Sequence, residues 1–397
     1  MTYGLPSIYL DHAATTPTDP EVVSAMLPYF TNVFGNPSSI YQIGQDGHAA
    51  LDRSRRTIAS ILGARDSEVL FTSGATESNN LALKGVAWAA RLADPDGPSP
   101  HVIISAVEHH AVLHAATALA EQGIGHTKLP CDADGIVSAE DLSLAIRPET
   151  CLVSIMYANN EVGVIQPIAE LSAIAHERGI PFHTDAVQAA GFLPLDVDKL
   201  GVDLLSLSAH KFYGPKGVGL LYIRKGTAIR FQQHGGGQES GRRGGTENVP
   251  LVVGMAEALR RAESLREQYI SHTGGLRDLL WDEIQASVPD VRINGPVPGS
   301  TRLSNNLNVS FRGVQGETAL LGLDMLGVSA SAGSACTTGN SEPSHVLLAM
   351  GMTEDEARAS LRLTVGRGNT REEIEDAASA IQEVVVRTRG LASTEPR

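Results

Sequence analysis

An α/β fold is predicted here: a large domain with a mostly parallel sheet flanked by helices, followed by a smaller α+β C-terminal domain. Three observations carry it. Between Val69 and Leu207, apolar runs of strand length alternate with segments of helical period, the pattern of parallel strands joined by crossover helices. At 397 residues the chain is too long for one small core. After about Gly254 the alternation gives way to long amphipathic helices and a few short strands. The expected division is residues 15–254 for the large domain, and residues 1–14 with 255–397 for the small one.

Taken in order, residues 9–17 form a short extended piece. Asp19, Pro20 and Glu21 then stand as N-cap, first turn and first-turn acid of a helix expected to run to about Phe30. A loop at residues 35–39 precedes an amphipathic helix over residues 44–62, stopped by Gly63. Residues 69–71 are a buried strand, and residues 72–77 turn from it into the next helix. Free N–H groups and hydroxyls at that turn suit an anion, although Ser73 and Thr76 would serve equally as plain caps. Residues 93–100 are a surface loop by composition. Strands follow at residues 101–104, 127–129 and 151–156, with a helix near 138–146.

Two further apolar runs end on Asp185 and lead into Lys211, and the segment Asn159 to Gly163 lies at another strand end. Parallel sheets bind ligands beyond the carboxyl ends of their strands, which gathers these residues in one crevice. The glycines of residues 234–239 and 242–248 let backbone approach a ligand closely, and Thr246 is a candidate phosphate donor; a flexible linker has the same composition. Helices over residues 255–269 and 276–286, strands at 306–311 and 361–365, and a helix near 372–386 complete the small domain, with a polar tail from Gly390.

Composition narrows the function. Hydrophobic content of 42% with 19% charged residues is that of an ordinary soluble protein, and neither a membrane span nor a signal peptide is expected. Lys and Arg number 31 against 45 Asp and Glu, a net charge of −14, so no general field draws in a polyanion and direct nucleic-acid binding is not expected. Cys131, Cys151 and Cys336 form no Cys-x-x-Cys pair, which argues against a disulfide framework or structural zinc and for a reducing, cytoplasmic compartment. His109 and His110 lack further ligands at metal spacing, so no metal is expected.

The chemistry gathers around Lys211, which leaves a buried strand into the turn Phe212-Tyr213-Gly214-Pro215-Lys216-Gly217. Partial desolvation there lowers an amine's pKa and suits a Schiff-base lysine. Strand, Asp185, strand, Lys211 is the layout of a pyridoxal phosphate site, in which the acid keeps the pyridine nitrogen protonated. An acid at a strand end would also serve as a helix cap. Cys336 sits in a run of small polar residues, 329–345, that suits a loop carrying an exposed thiol. Cys131 and Cys151 stand beside apolar strand residues and read as small core hydrophobes.

His-Thr-Asp-Ala-Val-Gln-Ala-Ala-Gly at 183–191, Ser-Ala-His-Lys-Phe-Tyr-Gly-Pro-Lys-Gly-Val-Gly at 208–219, His-Gly-Gly-Gly-Gln-Glu at 234–239 and Gly-Ser-Ala-Cys at 333–336 resemble the cysteine desulfurases of the class V aminotransferase family. The resemblance covers Tyr9 to about Asp376 and implies the pyridoxal phosphate-dependent transferase fold type I. It implies L-cysteine as substrate, L-alanine as product and a persulfide on Cys336, in the subgroup with the longer catalytic loop. It places His109 against the cofactor ring, Gln188 and Asn160 at the phenolic oxygen, and Ala75, Thr76, Ser208 and His210 at the phosphate, with Thr246 reaching it from the other subunit of a homodimer. Arg362 would take the substrate carboxylate, alongside Asn160. The sulfur would pass to an iron–sulfur scaffold or a thiolation protein, although the longer C-terminal extension that many members use for docking is not matched here. A selenocysteine lyase, an aminotransferase or a non-catalytic cofactor-binding platform are the alternatives on the same fold.

Overall fold

The computed structural model describes residues 8–299, 301–332 and 342–392. Its strands in chain order are β1 (Ile8–Tyr9), β2 (Val69–Thr72), β3 (His101–Ser105), β4 (Gly125–Leu129), β5 (Thr150–Ser154), β6 (Phe182–Asp185), β7 (Leu204–Ser208), β8 (Gly219–Ile223), β9 (Val291–Ile293), β10 (Asn306–Phe311), β11 (Val328–Ser329) and β12 (Ser360–Thr364). A seven-stranded sheet has the order β2-β8-β7-β6-β5-β3-β4. The pairs from β7 across to β4 are parallel, and β8 runs antiparallel to both its neighbours.

Both faces of this sheet are covered, which is why its strands read as continuous apolar runs. Leu70, Val102, Ile104, Leu152, Leu204 and Leu221 pack with Leu81 and Val86 of the helix Ala75–Ala93 on one side. The alternate residues Phe71, Ile103, Val153, Phe182, Leu205 and Leu220 share the other core with Leu51 and Ile58 of the helix Gln42–Leu62 and Met255 and Leu259 of the helix Val249–Ser264. Neighbouring side chains on a strand point to opposite faces, so each strand feeds both cores.

A second core surrounds the antiparallel sheet β12-β10-β9 and the parallel pair β1–β11. Leu307, Val309, Leu361 and Leu363 pack there against Leu280 and Ile284 of the helix Arg266–Ser287 and Ile374 and Ile381 of the helix Arg371–Ala392.

The structure corrects four expectations. The first helix is capped by Asp19 as expected but stops at Met26, and a separate turn, Pro28–Thr31, follows; Pro28 has no N–H to continue the ladder. Expected helices at 255–269 and 276–286 are instead Val249–Ser264 and Arg266–Ser287, the second running straight through Gly274 and Gly275. Strand β8 is an addition to the elements expected from the sequence; it follows directly on the Gly- and Pro-rich turn after Lys211. The last helix continues through Gly390 to Ala392.

Candidate active site

Strands β2, β6 and β7 bring their carboxyl ends to one mouth of the large sheet, where a cavity of about 610 Å³ opens. Lys211 reaches it from the single turn Ala209–Lys211 that follows β7. Its Nζ donates to the carbonyl oxygens of Ala13 at 2.6 Å and Ala14 at 2.7 Å.

Asp185 ends β6 and is 5% exposed. Its Oδ2 accepts from Asn79 Nδ2 at 2.6 Å, and its Oδ1 accepts from the Val187 amide at 3.0 Å. Both donors are neutral, and among the described residues no cation lies within ion-pair distance of this carboxylate. A buried acid held this way calls for a positively charged ligand group.

His109 caps the helix His110–Ala120, and its Nδ1 accepts from the Ala111 amide at 3.1 Å. That bond leaves Nε2 as the protonated nitrogen of the neutral ring. Burial lowers its pKa below the ordinary histidine value; Asp185 opposes the shift and Lys211 adds to it. Gln188 also lines the cavity and donates from Nε2 to the Ala13 carbonyl at 3.0 Å. Asn160 and Arg362 close the side nearer the small sheet. Arg362 Nη1 donates to the Asn160 carbonyl at 3.3 Å, and Nη2 to Asp11 Oδ1 at 2.7 Å.

The opposite wall is built for an anion. Gly74, with φ 157°, turns β2 into the helix Ala75–Ala93, and the first-turn amides of Ala75 and Thr76 have no helical partner. Ser208 and His210 face the same space. The His210 ring shares a hydrogen bond with Thr15 Oγ1 at 3.1 Å; burial, with Lys211 and Lys216 nearby, pushes its pKa down to about 4, so it is neutral. Glu77 accepts from the Ser73 amide at 2.7 Å and pairs with Arg243 at 2.9 Å, tying the glycine-rich segment to this turn.

Ten of the residues expected at the site therefore line one cavity: Ala75, Thr76, His109, Asn160, Asp185, Gln188, Ser208, His210, Lys211 and Arg362. Thr246 does not; it is exposed and absent from its own chain's cavity lining. Cys336 lies outside the described residues. Cys131 and Cys151 are partly buried, and burial pushes each thiol up to about 11, leaving them protonated at neutral pH.

Several participants escaped the sequence reading. Asn79 meets Asp185 across 106 residues with no local motif to announce it, and Asp11 and the carbonyls of Ala13 and Ala14, in the N-terminal stretch that the family resemblance places near the active site, hold Arg362 and Lys211 in roles the sequence did not assign. The same is true of two fully buried acids behind the cavity wall, Glu108 and Glu161, although each adjoins a residue that was singled out.

The aminotransferase class V family model matches residues 8–376. The cysteine desulfurase IscS of Dictyoglomus turgidum is 48% identical over 385 residues, 97% of this chain and 96% of the relative. This chain belongs to the cysteine desulfurases. Among solved structures, a NifS-like protein superimposes with a TM-score of 0.88 at 37% identity, covering 96% of this chain and 99% of that one. The protein SspA, solved in complex with cysteine, gives 0.77 at 37% identity over 92% of this chain and all of its own.

The desulfurase fold is that of the pyridoxal phosphate-dependent enzymes, and the enzyme depends on that cofactor. The residues present fit it: a buried acid whose hydrogen-bond donors are both neutral, an amine in the same cavity, and an anion cradle at Gly74 to Thr76. Among the described residues no helix is long and apolar enough to cross a membrane, and no cluster of three or more metal ligands occurs.

Proposed function

We propose that this desulfurase converts L-cysteine to L-alanine and leaves the sulfur as a persulfide on Cys336, acting as a cytoplasmic homodimer that passes the sulfur to an acceptor protein. The observation that carries the reading is the convergence of Lys211, Asp185, His109 and Arg362 on one cavity. Supporting it, a related structure holds cysteine.

In this reading Lys211 binds the cofactor aldehyde, Asp185 the pyridine nitrogen, and His109 packs on the ring. Gln188 and Asn160 meet the phenolic oxygen; Ala75, Thr76, Ser208 and His210 hold the phosphate, with Thr246 of the partner subunit. When bound, the cofactor supplies an electron sink for the carbon next to the substrate amine. Arg362 clamps the substrate carboxylate, orienting the reacting atoms. Lys211 Nζ moves the α-proton, and His109 Nε2 stands as a second proton carrier. The Cys336 thiolate bonds the substrate sulfur as the carbon–sulfur bond breaks. The electron pair stays with the carbon and is protonated there, so L-cysteine and thiolate become L-alanine and persulfide in balance.

Exposed apolar side chains near the N-terminus, Leu27, Phe30, Phe34, Ile40 and Tyr41, support a homodimer, as does the exposed position of Thr246. We divide the chain into a cofactor domain over residues 15–254 and a small domain of 1–14 with 255–397; the separate core around the small sheet supports the division, while the helix Val249–Ser264 that the boundary cuts packs on the large core through Met255 and Leu259. A single-turnover incubation with L-cysteine tests the function: alanine release with one sulfur added to the peptide holding Cys336 is expected, and alanine without that sulfur refutes the persulfide step.

A further inference from the structure

Arg362 is 4% exposed and lines the cavity, yet it is already paired. Its Nη2 donates to Asp11 Oδ1 at 2.7 Å and its Nη1 to the Asn160 carbonyl at 3.3 Å, while its Nε is buried with no partner. Asp11 has little freedom to leave. Its backbone forms a bridge with Thr364, two residues beyond Arg362 on β12, and its carbonyl accepts from the Tyr9 hydroxyl at 3.0 Å. The neighbouring Ala13 amide donates to Thr364 Oγ1 at 2.9 Å. A carboxylate arriving at Arg362 is thus the second anion on one guanidinium, with a fixed first anion whose own side chain is only 18% exposed.

We propose that Asp11 sets the enzyme's affinity for α-carboxylates: it fixes the guanidinium at the cavity through Nη2, and its charge weakens the grip on substrate and product. The effect is confined to ligands that carry a carboxylate, because a like charge in a poorly solvated site repels that group and not a neutral one. Amino acids with a second acidic group near the first are disfavoured further. This inference rests on the reading that Arg362 takes the carboxylate.

Asp11→Asn keeps an oxygen that accepts from Nη2 and removes the charge; Asp11→Ser removes the charge with a shorter polar side chain and serves if the Asn variant does not fold. Equilibrium binding is read from the change in the holoenzyme's cofactor spectrum, with L-alanine as the carboxylate probe and cysteamine as the probe without one. The variant is expected to bind L-alanine about tenfold more tightly and cysteamine as the parent does, with KM for L-cysteine falling by a larger factor than kcat changes. Unchanged or weaker alanine binding overturns the proposal, as does equal tightening of both probes. Arg362→Gln separates the two levels. Weaker alanine binding with unchanged cysteamine binding upholds the role of Arg362 whatever Asp11 does, and no change for either probe removes that role and the inference with it.

Discussion

Glu108 offers a test of how the wall behind the cofactor cavity is built. The side chain is fully buried; its Oε1 accepts from Ser105 Oγ at 2.7 Å and the Met156 amide at 2.8 Å, while its Oε2 is buried without a partner. Burial pushes its pKa from 4.5 up to about 8; the two hydrogen bonds resist this and nearby Asp185 adds to it. Below about pH 4.5 the acid is neutral folded or unfolded. Between there and pH 8 the unfolded chain releases the proton while the folded protein keeps it, so stability falls as pH rises. Above pH 8 both states are ionised and the slope ends. A shift of roughly 3.5 units corresponds to at most about 5 kcal/mol. Glu108→Gln retains the acceptor oxygen and cannot ionise. Urea unfolding of the holoenzyme at pH 5, 7 and 9 should therefore show the variant gaining on the parent by a few kcal/mol across that range. A difference between the two proteins that stays constant with pH refutes the assignment of a neutral, buried Glu108.

Glu239→Ala breaks the buried pair with Arg55, 2.7 Å apart with the carboxylate 2% exposed, and also frees the Phe71 amide of β2. A loss of about 3–5 kcal/mol is expected in urea unfolding, and an unchanged midpoint contradicts it. In Gly219→Ala the new methyl would stand 2.6 Å from the Leu207 carbonyl and 2.7 Å from the backbone of Gly74, so the turn that leads from β2 into the helix Ala75–Ala93 must shift. Overpacking of this kind costs about 1–3 kcal/mol, and faster loss of cofactor on dialysis is the measurement. Cys336→Ser should keep the visible band of bound cofactor and lose persulfide formation, whereas Lys211→Ala should lose the band itself; normal turnover by the serine variant sinks the sulfur-transfer scheme.

Legibility followed the range of the interactions. Asp185 and Lys211 were readable because each ends a buried apolar run, and a residue at the carboxyl end of a parallel strand faces the ligand crevice by construction. Gly63 was readable as a stop because the chain there must turn left-handed, and it does, at φ 68°. The partners of those residues were not. Asn79 reaches Asp185 across 106 residues, and Asp11 reaches Arg362 across 351, distances over which local pattern carries no signal. Gly274 and Gly275 misled the reading because propensity argues for a break. Tertiary packing overrides it: Leu276, Leu280 and Ile284 bury their side chains in the small core and hold the helix through the glycines. The reversed strand β8 was missed for a related reason, since a short turn, unlike a crossover helix, returns the chain antiparallel.

The strap from Leu10 to Thr16 explains how two cores deliver one site. Toward the small sheet, Thr364 donates its amide to the Leu10 carbonyl at 2.7 Å and accepts from the Ala13 amide through its hydroxyl. Toward the large sheet, the Thr16 amide donates to the His210 carbonyl at 2.9 Å, and Thr16 Oγ1 accepts from the amide of Tyr213, which holds a positive φ of 65° just past Lys211. Arg362 is thereby tied through Asp11, and Lys211 through Ala13 and Ala14, to points at most three residues apart in the chain. Three residues extend no more than about 10 Å, so backbone length limits how far apart the anchors of Arg362 and Lys211 can lie. The two attachments meet at Ala13, whose amide is held by Thr364 and whose carbonyl is held by Lys211 and Gln188, so a movement of one core against the other that keeps both sets of bonds must turn there. A movement that frees either side releases Arg362 or Lys211 with it, and so couples the freedom of one side chain to that of the other.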